Sequence, residues 1–453
     1  MKGLLLFLVL LYCKRVQGRE FGLDEKFKRA HIGYCIAEIA SEKEISSSHA
    51  EEYFIPASLQ KIPLSVASIA LLQENYRFST TLEYEGRIDQ EGILHGNLCV
   101  YGGGDPTLSL DIFTQWEQAA KQKGIEKIEG KIIVDSSCFE TALASPSWFF
   151  EDLGNYFGAG ACGLSINRNL YEITFQPGAK EGDPAKILKT VPSLPHLIVH
   201  NEVKTGPKGS GDQVYVFGME YSPVQFYRGS VPLDQPTLTV KAAIPDPPRF
   251  CAEALQRKIA ASKGVEIEKG NSRNRTKMNL LYKKESPPLK DLLHEMNQHS
   301  INLYAEHLLK AVGKGTLQEG CKIVQQFLKR LDIPCVMRDG SGLSRTNFIT
   351  PRGFAKLLIE IKRNPTYRSI YDSFPQSGQG TLKSFPLLQG ATLRAKTGSM
   401  HHIRNLGGYL ILPSGKEYAF CLFCNNYEGN AKEIEEEMLH FLNQVIRNIS
   451  INP

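Results

Sequence analysis

The chain has 453 residues, of which 42% are hydrophobic and 22% are charged, and its formal net charge is +5. That length allows two or three domains with a large core, and the composition excludes wholesale disorder. The small net charge excludes the strongly basic surface with which proteins bind nucleic acid, so we expect no nucleic acid as a partner.

The first 18 residues have the order of a secretory signal peptide. Lys2 precedes the apolar run 3–11, and small residues stand just before position 19. The run is too short to span a bilayer, and no later stretch of the sequence is long and apolar enough to do so. Cys13 offers a lipid anchor as an alternative, but the bulky Tyr12 before it disfavours that modification. We therefore expect a soluble exported protein whose net charge, without the three cations of this segment, falls from +5 to +2.

Nine cysteines remain once Cys13 is removed, and they are scattered singly apart from Cys421 and Cys424. That pair lies in an apolar, strand-like run, where side chains three residues apart point to opposite faces. A metal or redox centre is therefore not indicated, and we interpret the cysteines as small buried apolar residues. In an exported protein an odd number of cysteines leaves at least one free thiol.

Ser58, the serine of a Ser-x-x-Lys sequence, stands at the start of a predicted helix. Pro56 suits a first helical position, and the apolar run 62–72 follows. Lys61 then lies on the same helix face as Ser58, where it can serve as base if burial or a second cation destabilises its ammonium form. Alone, the tetrapeptide is more typical of an ordinary helix start with a serine cap. Pro63 predicts a kink just past Lys61.

From position 80 to about 282 the sequence predicts short strands, turns and a few helices. The glycines at 102–104 are similar to a phosphate loop, but the residues that follow fit neither a P-loop nor a Rossmann motif, so nucleotide binding is not indicated. The dipeptide Asp105-Pro106 instead predicts the start of a helix that Gly124 ends. Residues 178–215 are rich in proline, glycine and lysine and predict an exposed excursion.

The last third of the chain combines long helices with strand-like runs. Helices are predicted at 289–299, 303–312, 317–331, 351–363 and 430–446, and strands at 391–395, 405–412 and 418–424. Residues 31–39 near the N-terminus also predict a strand. A sheet that joins the first strand to the last ones predicts an α/β domain that is split by a long insertion.

Two further motifs lie in this last part of the chain. Ser300 and Asn302 form a Ser-x-Asn sequence at the junction of two predicted helices, and Lys396-Thr397-Gly398 lies between two strand-like runs. Ser-x-x-Lys, Ser-x-Asn and Lys-Thr-Gly, in that order, are the motifs of active-site serine enzymes that react with penicillin. Each motif is weak alone, whereas the three together, on suitable elements, are specific.

The insertion contains a second copy of both motifs, Ser165-Ile166-Asn167 and Lys204-Thr205-Gly206. Motif order alone cannot choose between the copies, but an oxyanion hole needs an N–H group from the residue after the glycine. In the insertion copy that residue is Pro207, which has none, and in the C-terminal copy it is Ser399, which has one. We therefore predict that the C-terminal copies are catalytic and that those in the insertion are structural or merely exposed.

With these motifs the chain resembles the class C low-molecular-mass penicillin-binding proteins, which are periplasmic D-alanyl-D-alanine carboxypeptidases and endopeptidases. The resemblance extends over nearly the whole chain after the signal and includes the runs 102–108, 151–159 and 339–345. The interval of 242 residues from Ser58 to Ser300 is also typical, since this family has a large two-part insertion there.

The resemblance implies an α/β fold with a transpeptidase domain like those of serine β-lactamases and penicillin-binding proteins, in which helices flank a sheet, and a large, mixed, strand-rich insertion. We expect a signal peptide at 1–18, a discontinuous penicillin-binding domain at 19–75 and 285–453, and two small nested domains in the insertion at 76–284. Peptidoglycan peptides are the implied partners and β-lactam antibiotics the implied inhibitors. The implied location is the periplasm, and no metal or organic cofactor is required.

The resemblance also implies a role for each motif residue. Ser58 attacks the carbonyl of the penultimate D-alanine, and Lys61 accepts its proton. Ser300 relays a proton to the leaving amine, while Asn302 hydrogen-bonds the substrate amide and holds Lys61. Lys396 helps to lower the pKa of Lys61 by charge repulsion, and desolvation of Lys61 adds to this effect. The residues implied in substrate binding are Thr397, Gly398, Ser399, Met400, Asp152 and Arg345. The last three are expected to line a pocket for a stem-peptide side chain.

Three alternatives stay open at this point. A β-lactamase needs an efficient deacylating base, and no such carboxylate is identifiable in the sequence. A non-catalytic envelope protein could keep the fold to bind peptidoglycan, but it has no need of an intact Ser58, Lys61, Ser300 and Lys396. Asp152 and Arg345 could form a structural ion pair instead of lining a pocket.

Overall fold

The computed structural model describes residues 27–268 and 278–451. The predicted signal peptide at 1–18 and the alternative anchor at Cys13 lie outside the described residues. In the part of the chain that is described, no helix is both long and apolar enough to cross a membrane.

Helices and short strands follow one another along the chain. The α-helices are α1 (Lys61–Leu72), α2 (Ile112–Gln122), α3 (Pro247–Gln256), α4 (Leu289–His299), α5 (Asn302–Val312), α6 (Leu317–Arg330), α7 (Pro351–Arg363), α8 (Arg368–Ser373) and α9 (Ala431–Ile451). The strands are β1 (His31–Glu38), β2 (Glu44–Ser48), β3 (Ser79–Tyr84), β4 (Arg87–Ile88), β5 (Ile93–His95), β6 (Leu98–Tyr101), β7 (Lys127–Ile128), β8 (Ile132–Asp135), β9 (Leu170–Gln176), β10 (Lys186–Val191), β11 (Ile198–Asn201), β12 (Lys204–Gly206), β13 (Tyr215–Gly218), β14 (Val224–Arg228), β15 (Ser230–Pro232), β16 (Leu238–Ala243), β17 (Val265–Glu268), β18 (Asn279–Glu285), β19 (Cys335–Val336), β20 (Phe348–Ile349), β21 (Thr392–Met400), β22 (Ile403–Ile411) and β23 (Glu417–Asn425).

A five-stranded antiparallel sheet, in the order β2-β1-β23-β22-β21, joins the first strands to the last three. Successive side chains of a strand point to opposite faces, so β1 directs Cys35 and Ala37 into one apolar core and Tyr34 and Ile36 into another. Helices α1, α4, α5 and α7 close the first core, and α9 closes the second. The predicted α/β class, with helices flanking a sheet, is confirmed.

The helix that contains Lys61 differs from the predicted one at its start. A 3₁₀ turn occupies Ala57–Gln60, and α1 then runs without interruption from Lys61. Pro63 is the third residue of α1, where a backbone N–H group has no intrahelical acceptor to lose. The predicted kink past Lys61 is therefore wrong, and the change of helix type comes before Lys61 instead.

Other element predictions vary in outcome. The helices at 289–299 and 351–363 are confirmed to the residue. The helix expected from Asp105-Pro106 is wrong, because Asp105 Oδ1 accepts hydrogen bonds from the N–H and hydroxyl of Thr107 in a local turn, and α2 begins only at Ile112. Gly124, with a φ of +86°, ends that helix as predicted.

Most of the cysteines are buried, as the sequence predicts, but Cys138 is exposed and Cys335 is partly buried. Cys421 points into the first core of the sheet and Cys424 into the second. Seven of the nine described cysteines are buried, and all nine are free thiols.

The segment between α1 and α4 folds into several small sheets. A five-stranded mixed sheet has the order β17-β8-β6-β3-β18, and three three-stranded sheets have the orders β10-β9-β16, β11-β14-β13 and β4-β5-β7. Buried apolar residues from Leu82 to Ile259 form one continuous core beneath them. The predicted excursion at 178–215 contains strands β10 to β12, whose residues are mostly exposed. The proposed domain boundaries, and the division of the insertion into two nested domains, stay predictions.

Candidate active site

Ser58 lies in the 3₁₀ turn that leads into α1. Ala57 beside it adopts a left-handed backbone conformation with a φ of +47°, which is uncommon outside glycine and is found at functional turns. Gly342 packs against this turn, because a Cβ atom added there would lie 1.8 Å from the carbonyl oxygen of Ala57. The loop 339–345 therefore contacts the Ser58 turn directly.

Lys61 is fully buried, and its Nζ atom donates to three oxygen atoms. Nζ lies 3.0 Å from Ser58 Oγ, 2.8 Å from Asn302 Oδ1 and 2.7 Å from the carbonyl oxygen of Ser341. Burial lowers the pKa of Lys61 from 10.5 to about 7, although the charges of two buried carboxylates oppose this shift. Near neutral pH the side chain can therefore act as a free amine and accept the proton of a hydroxyl.

Those two carboxylates, Glu306 and Asp339, hold the loop that contacts the buried lysine. Glu306, on α5, accepts hydrogen bonds from the N–H groups of Gly340 at 3.1 Å and Ser341 at 2.8 Å. Asp339 accepts hydrogen bonds from two backbone N–H groups of its own loop, that of Gly342 at 2.8 Å and that of Ser344 at 2.6 Å. Burial raises the pKa of Glu306 above its usual value, and the charge of Asp339 adds to the shift. Glu306 thus holds Ser341 in place, and the carbonyl oxygen of Ser341 accepts a hydrogen bond from Lys61.

Ser300 lies between α4 and α5, where its left-handed φ of +55° lets the chain change direction. Lys396 Nζ donates to Ser300 Oγ at 2.8 Å and to the carbonyl oxygen of Thr397 at 3.0 Å. Burial, and then repulsion by Lys61, hold the pKa of Lys396 well below its usual value. The predicted lowering of the Lys61 pKa by burial is confirmed, whereas the predicted repulsion between the two lysines contributes to the lowered pKa of Lys396.

The Lys-Thr-Gly sequence lies within β21 rather than between two strands, because its pairing with β22 continues to Met400. Gly398 allows this strand to approach the Ser58 turn closely. A Cβ atom at that position would lie 2.5 Å from the carbonyl oxygen of Pro56. The glycine of the motif is therefore required by the distance between the two backbones.

Buried amide side chains hold the segment before Ser58 against the sheet. The N–H group of Ile55 donates to Asn425 Oδ1 at 2.7 Å, and Asn405 Nδ2 donates to the carbonyl oxygen of Ile55 at 2.9 Å. Asn405 and Asn425 belong to β22 and β23. The position of the serine relative to β21 is thus set by hydrogen bonds from two other strands of the same sheet.

A cleft of about 730 Å³ opens in front of Ser58. The predicted site residues that line it are Ser58, Asp152, Ser300, Asn302, Arg345, Thr397, Ser399 and Met400. The remaining ones, Lys61, Lys396 and Gly398, are bonded to or packed against this set. Aromatic side chains of the insertion complete the lining, namely Phe149, Tyr156, Phe157, Tyr215 and Phe217. The structure therefore brings all the predicted site residues to one place.

Asp152 and Arg345 both border the cleft, on different loops. Arg345 Nη1 donates to the carbonyl oxygen of His401 at 3.2 Å, and its guanidinium carbon lies 5.5 Å from the centre of the Phe149 ring. Burial raises the pKa of Asp152, and the charge of Arg345 opposes that shift. A carboxylate and a guanidinium are thus both available to a bound ligand.

The insertion copies of the motifs have other surroundings. Ser165 is buried, and its Oγ lies 2.9 Å from His307 Nε2 and 2.8 Å from Asn169 Nδ2. Lys204 is exposed in β12. Neither residue is among the described residues that line the cleft.

The described residues contain no group of three histidine, cysteine or carboxylate side chains that could hold a metal ion. His401 and His402 lie in the turn between β21 and β22, and His402 Nδ1 is 2.8 Å from the carbonyl oxygen of Tyr427.

The sequence profile of the D-Ala-D-Ala carboxypeptidase 3 (S13) family matches residues 19–445. The chain belongs to this family. It is 27% identical over 418 residues to D-alanyl-D-alanine carboxypeptidase DacB of Haemophilus influenzae. That alignment covers 88% of this chain and 86% of the Haemophilus protein. It is 26% identical over 437 residues to a D-alanyl-D-alanine carboxypeptidase of Actinomadura sp. (strain R39), with 90% and 80% of the two chains covered.

This S13 protein also shares its fold with a solved structure. Penicillin binding protein 4 (dacB) from Haemophilus influenzae superposes with a TM-score of 0.80 at 24% identity, over 92% of this chain and 97% of that one. The predicted family and the predicted enzyme class, a serine-type D-Ala-D-Ala carboxypeptidase, are confirmed. The role of each site residue stays a prediction.

Sequence reasoning missed several residues of the S13 site. Glu306 lies four residues after Asn302 and hence on the same face of α5, which was a usable signal. Asp339 begins the run 339–345, which the resemblance already included. Tyr215 and Phe217 had no comparable signal, because a short strand of the insertion does not reveal which core or cleft it faces.

Proposed function

We propose that this S13 protein cleaves the terminal D-Ala–D-Ala bond of peptidoglycan stem peptides, and the corresponding bond in cross-links, through an acyl-enzyme on Ser58. The strongest support is the position of Lys61, which is fully buried with Nζ 3.0 Å from Ser58 Oγ. An ordinary lysine is protonated at neutral pH and cannot accept the serine proton. Burial provides the free amine that the reaction needs, since the pKa of Lys61 is about 7.

Acylation begins when Ser58 Oγ attacks the carbonyl carbon of the penultimate D-alanine and its proton passes to Lys61 Nζ. The backbone N–H groups of Ser58 and Ser399 stabilise the resulting oxyanion, a contribution of roughly 3–4 kcal/mol for each well-placed donor. The C–N bond then breaks, and the proton held by Lys61 passes through Ser300 to the leaving amine, which returns Lys61 to its neutral form. Lys396 donates a hydrogen bond to Ser300 and so holds it in place. The products are an ester of Ser58 and free D-alanine.

Deacylation uses water as the second nucleophile. Water adds to the ester carbonyl and gives its proton to Lys61, after which the bond to Ser58 breaks and the serine oxygen takes a proton back. In a cross-link the leaving group of the first step is the amine of a second stem peptide rather than free D-alanine. The same steps therefore support both carboxypeptidase and endopeptidase activity.

The end of β21 is suited to bind the carboxylate of the terminal D-alanine. Thr397 and Ser399 line the cleft with their hydroxyl groups, and Lys396 adds positive charge behind them whenever it is protonated. Arg404, on the neighbouring strand, contacts both Ser399 and Glu435. Hydroxyl and cationic donors together match the acceptor-only character of a carboxylate.

Asp152, Arg345 and Met400 are proposed to recognise the side chain of the stem peptide. A half-buried carboxylate and a guanidinium on opposite loops suit a side chain that ends in both an amine and a carboxylate. We expect Asp152→Asn to raise KM for a substrate with a cationic side chain by about tenfold, a single charge-assisted hydrogen bond being worth roughly 1.5–3 kcal/mol. KM for an uncharged analogue should stay unchanged, and equal effects on both substrates would contradict this role.

The proposed location is the periplasm, where the protein would be soluble or loosely associated with the membrane. The order of charge, apolar run and small residues in 1–18 supports export. N-terminal sequencing of the protein from the soluble envelope fraction is expected to begin near Arg19. Recovery of Met1, or of a lipid on Cys13, would contradict the proposal.

Mass spectrometry of defined muropeptides tests the activity itself. Incubation with a monomeric pentapeptide substrate is expected to release one D-alanine, and a cross-linked dimer is expected to yield two monomers. Ser58→Ala should lose both activities, whereas Ser414→Ala, an exposed serine in the turn after β22, should keep both. Products formed by Ser58→Ala at the wild-type rate would refute the assignment of the nucleophile.

A further inference from the structure

The three-stranded sheet β11-β14-β13 of the insertion has one face in the core and one in solvent. Gln225 and Tyr227 of the central strand are buried, and side chains alternate along a strand. The outward residues of the three strands therefore include His200 on β11, Phe226 and Arg228 on β14, and Tyr215 and Phe217 on β13. We call these five residues the aromatic face.

The rings of the aromatic face form a continuous row. His200 and Phe217 stand directly opposite Phe226 in the strand register, on its two sides. The rings of His200 and Phe226 are stacked at 4.7 Å, and the Arg228 guanidinium lies 5.3 Å from Phe226 and 5.5 Å from Phe217. The Tyr215 ring follows at 6.5 Å from Phe217. Three neighbouring strands make this row about 10 Å wide.

The row ends in the catalytic cleft. Tyr215 and Phe217 line the cavity that contains Ser58, and Phe150 beside them is 56% exposed and 6.4 Å from Phe217. Tyr215 itself is 49% exposed. Contiguous exposed aromatic surface of this kind usually marks a binding site. A ligand that occupies the cleft can thus continue over the aromatic face without crossing a gap.

We propose that the aromatic face binds the glycan strand to which the stem peptide is attached. This inference rests on the proposed function, because that substrate has a sugar chain at the end opposite to the scissile bond. A pyranose ring presents a flat array of C–H groups that packs on the face of an aromatic ring, whose π-surface is negative. Its hydroxyl groups need donors and acceptors at the edge of the same surface.

The edge of the aromatic face provides such groups. Arg228 Nε donates to Glu202 Oε2 at 2.8 Å, and the two side chains are about half exposed, so both keep free hydrogen-bonding positions toward solvent. His200 adds an exposed imidazole. Stacked rings bordered by charged and polar side chains suit a hydroxyl-rich ligand better than an apolar protein surface, because the latter would leave these polar groups unpaired.

Binding of fluorescently labelled, peptide-free glycan strands of peptidoglycan tests the proposal without the peptidase reaction. We expect the wild-type protein to bind them and both Phe226→Ala and His200→Ala to raise Kd at least fivefold. Leu188→Ala is the matched control, since Leu188 is an exposed apolar residue on another sheet of the insertion. It should leave Kd within twofold of the wild type. Thermal unfolding of each variant separates lost binding from lost folding.

Kinetics on two substrates provide the second measurement. For Phe226→Ala and His200→Ala, kcat/KM should fall at least fivefold on glycan-linked pentapeptides and stay within twofold on a glycan-free pentapeptide. Failure of the wild type to bind glycan, wild-type Kd values in both variants, or equal losses on the two substrates would each overturn the proposal. Because the glycan-binding assay involves no hydrolysis, its result is independent of whether the proposed function holds.

Discussion

Lys396 Nζ donates a hydrogen bond to Ser300 Oγ at 2.8 Å, across 96 positions of the sequence. Lys61 is linked in the same way to Ser58 and to Asn302, and its charge acts on Lys396. The three short motifs therefore form one hydrogen-bonded and electrostatic unit. The protonation state of either lysine depends on the other, and substitutions in one motif will affect the chemistry of the next.

Replacement of Lys396 or Ser300 by alanine will lower kcat/KM for a D-Ala-D-Ala peptide by on the order of a hundredfold or more, because each change removes a positioned proton-transfer or charge-stabilising group. Lys204→Ala, in the other Lys-Thr-Gly sequence, will leave kcat/KM nearly unchanged, since that side chain is exposed. Ser165→Ala will lower Tm through its lost buried hydrogen bonds without altering the kinetics of the folded protein. A protein whose activity survives the loss of Lys396 but not of Lys204 would contradict this assignment.

A labelled β-lactam will form a stable ester with Ser58. The lactam carbonyl imitates the scissile peptide carbonyl, and opening of the ring leaves an acyl-enzyme for which no dedicated deacylating carboxylate is identifiable in the sequence. Intact-mass measurement should show one added label on the wild type and none on Ser58→Ala. Equal labelling of both proteins, or rapid turnover of the antibiotic as in a β-lactamase, would be the contrary result.

The pH dependence of acylation will follow Lys61. Its amine acts as a base only when neutral, and its pKa is about 7. The acylation rate should therefore rise with pH up to about 7 and level off above it, because the ammonium form predominates at lower pH. Stopped-flow measurement with a chromogenic β-lactam between pH 5 and 9 checks this. A rate that keeps rising toward pH 10, as an ordinary lysine would give, is the result that counts against the assignment.

Glu306→Gln will shift the rise of the acylation rate with pH, which we call the rising limb of the pH profile, to lower pH. The charge of Glu306 favours the ammonium form of Lys61, so its removal lowers the pKa of the lysine further. The glutamine carbonyl oxygen can still accept from the N–H group of Ser341. Glu436→Gln is the control, since that glutamate is exposed on α9 and should leave the limb in place. If the role of Glu306 were purely structural, the substitution would change Tm and the maximal acylation rate but not the midpoint of the pH profile.

Gly398→Ala will slow acylation by on the order of a hundredfold, the scale of a 1 Å misplacement of catalytic groups. The added Cβ atom would lie 2.5 Å from the carbonyl oxygen of Pro56, so β21 has to move away from the Ser58 turn. That movement also displaces the N–H group of Ser399. Thr392→Ala, at the exposed start of the same strand, should acylate as the wild type does. Wild-type acylation by Gly398→Ala would show that the close approach is not needed.

Much of the fold follows from local pattern, as the long helices show. α4 and α7 were predicted to the residue because their apolar periodicity and their flanking prolines agree. The start of α2 was not, since Asp105 has the same preference for a turn as for a helix cap, and its bond to Thr107 decided between them. The kink predicted from Pro63 was wrong for a related reason, because the effect of a proline depends on whether it is in the first turn of a helix or further along.

The site was predictable where chemistry restricts the choice of residue. The missing N–H group of Pro207 distinguished two copies of a motif that order could not separate. The aromatic face was not predictable, because it depends on which elements pack together across long stretches of sequence.

The hydrogen bond from Ile55 to Asn425 spans 370 residues, and those from Lys61 to Asn302 and Ser341 span 241 and 280. Closing loops of this size costs entropy before any contact energy returns, so such contacts form late in folding. Until β21 to β23 have docked against β1, Ser58 and Lys61 are neighbours in an open chain whose lysine has its ordinary, protonated state. The topology thus links the protonation state of Lys61 to contacts between distant parts of the chain, so that a chain in which these contacts are open has no active nucleophile.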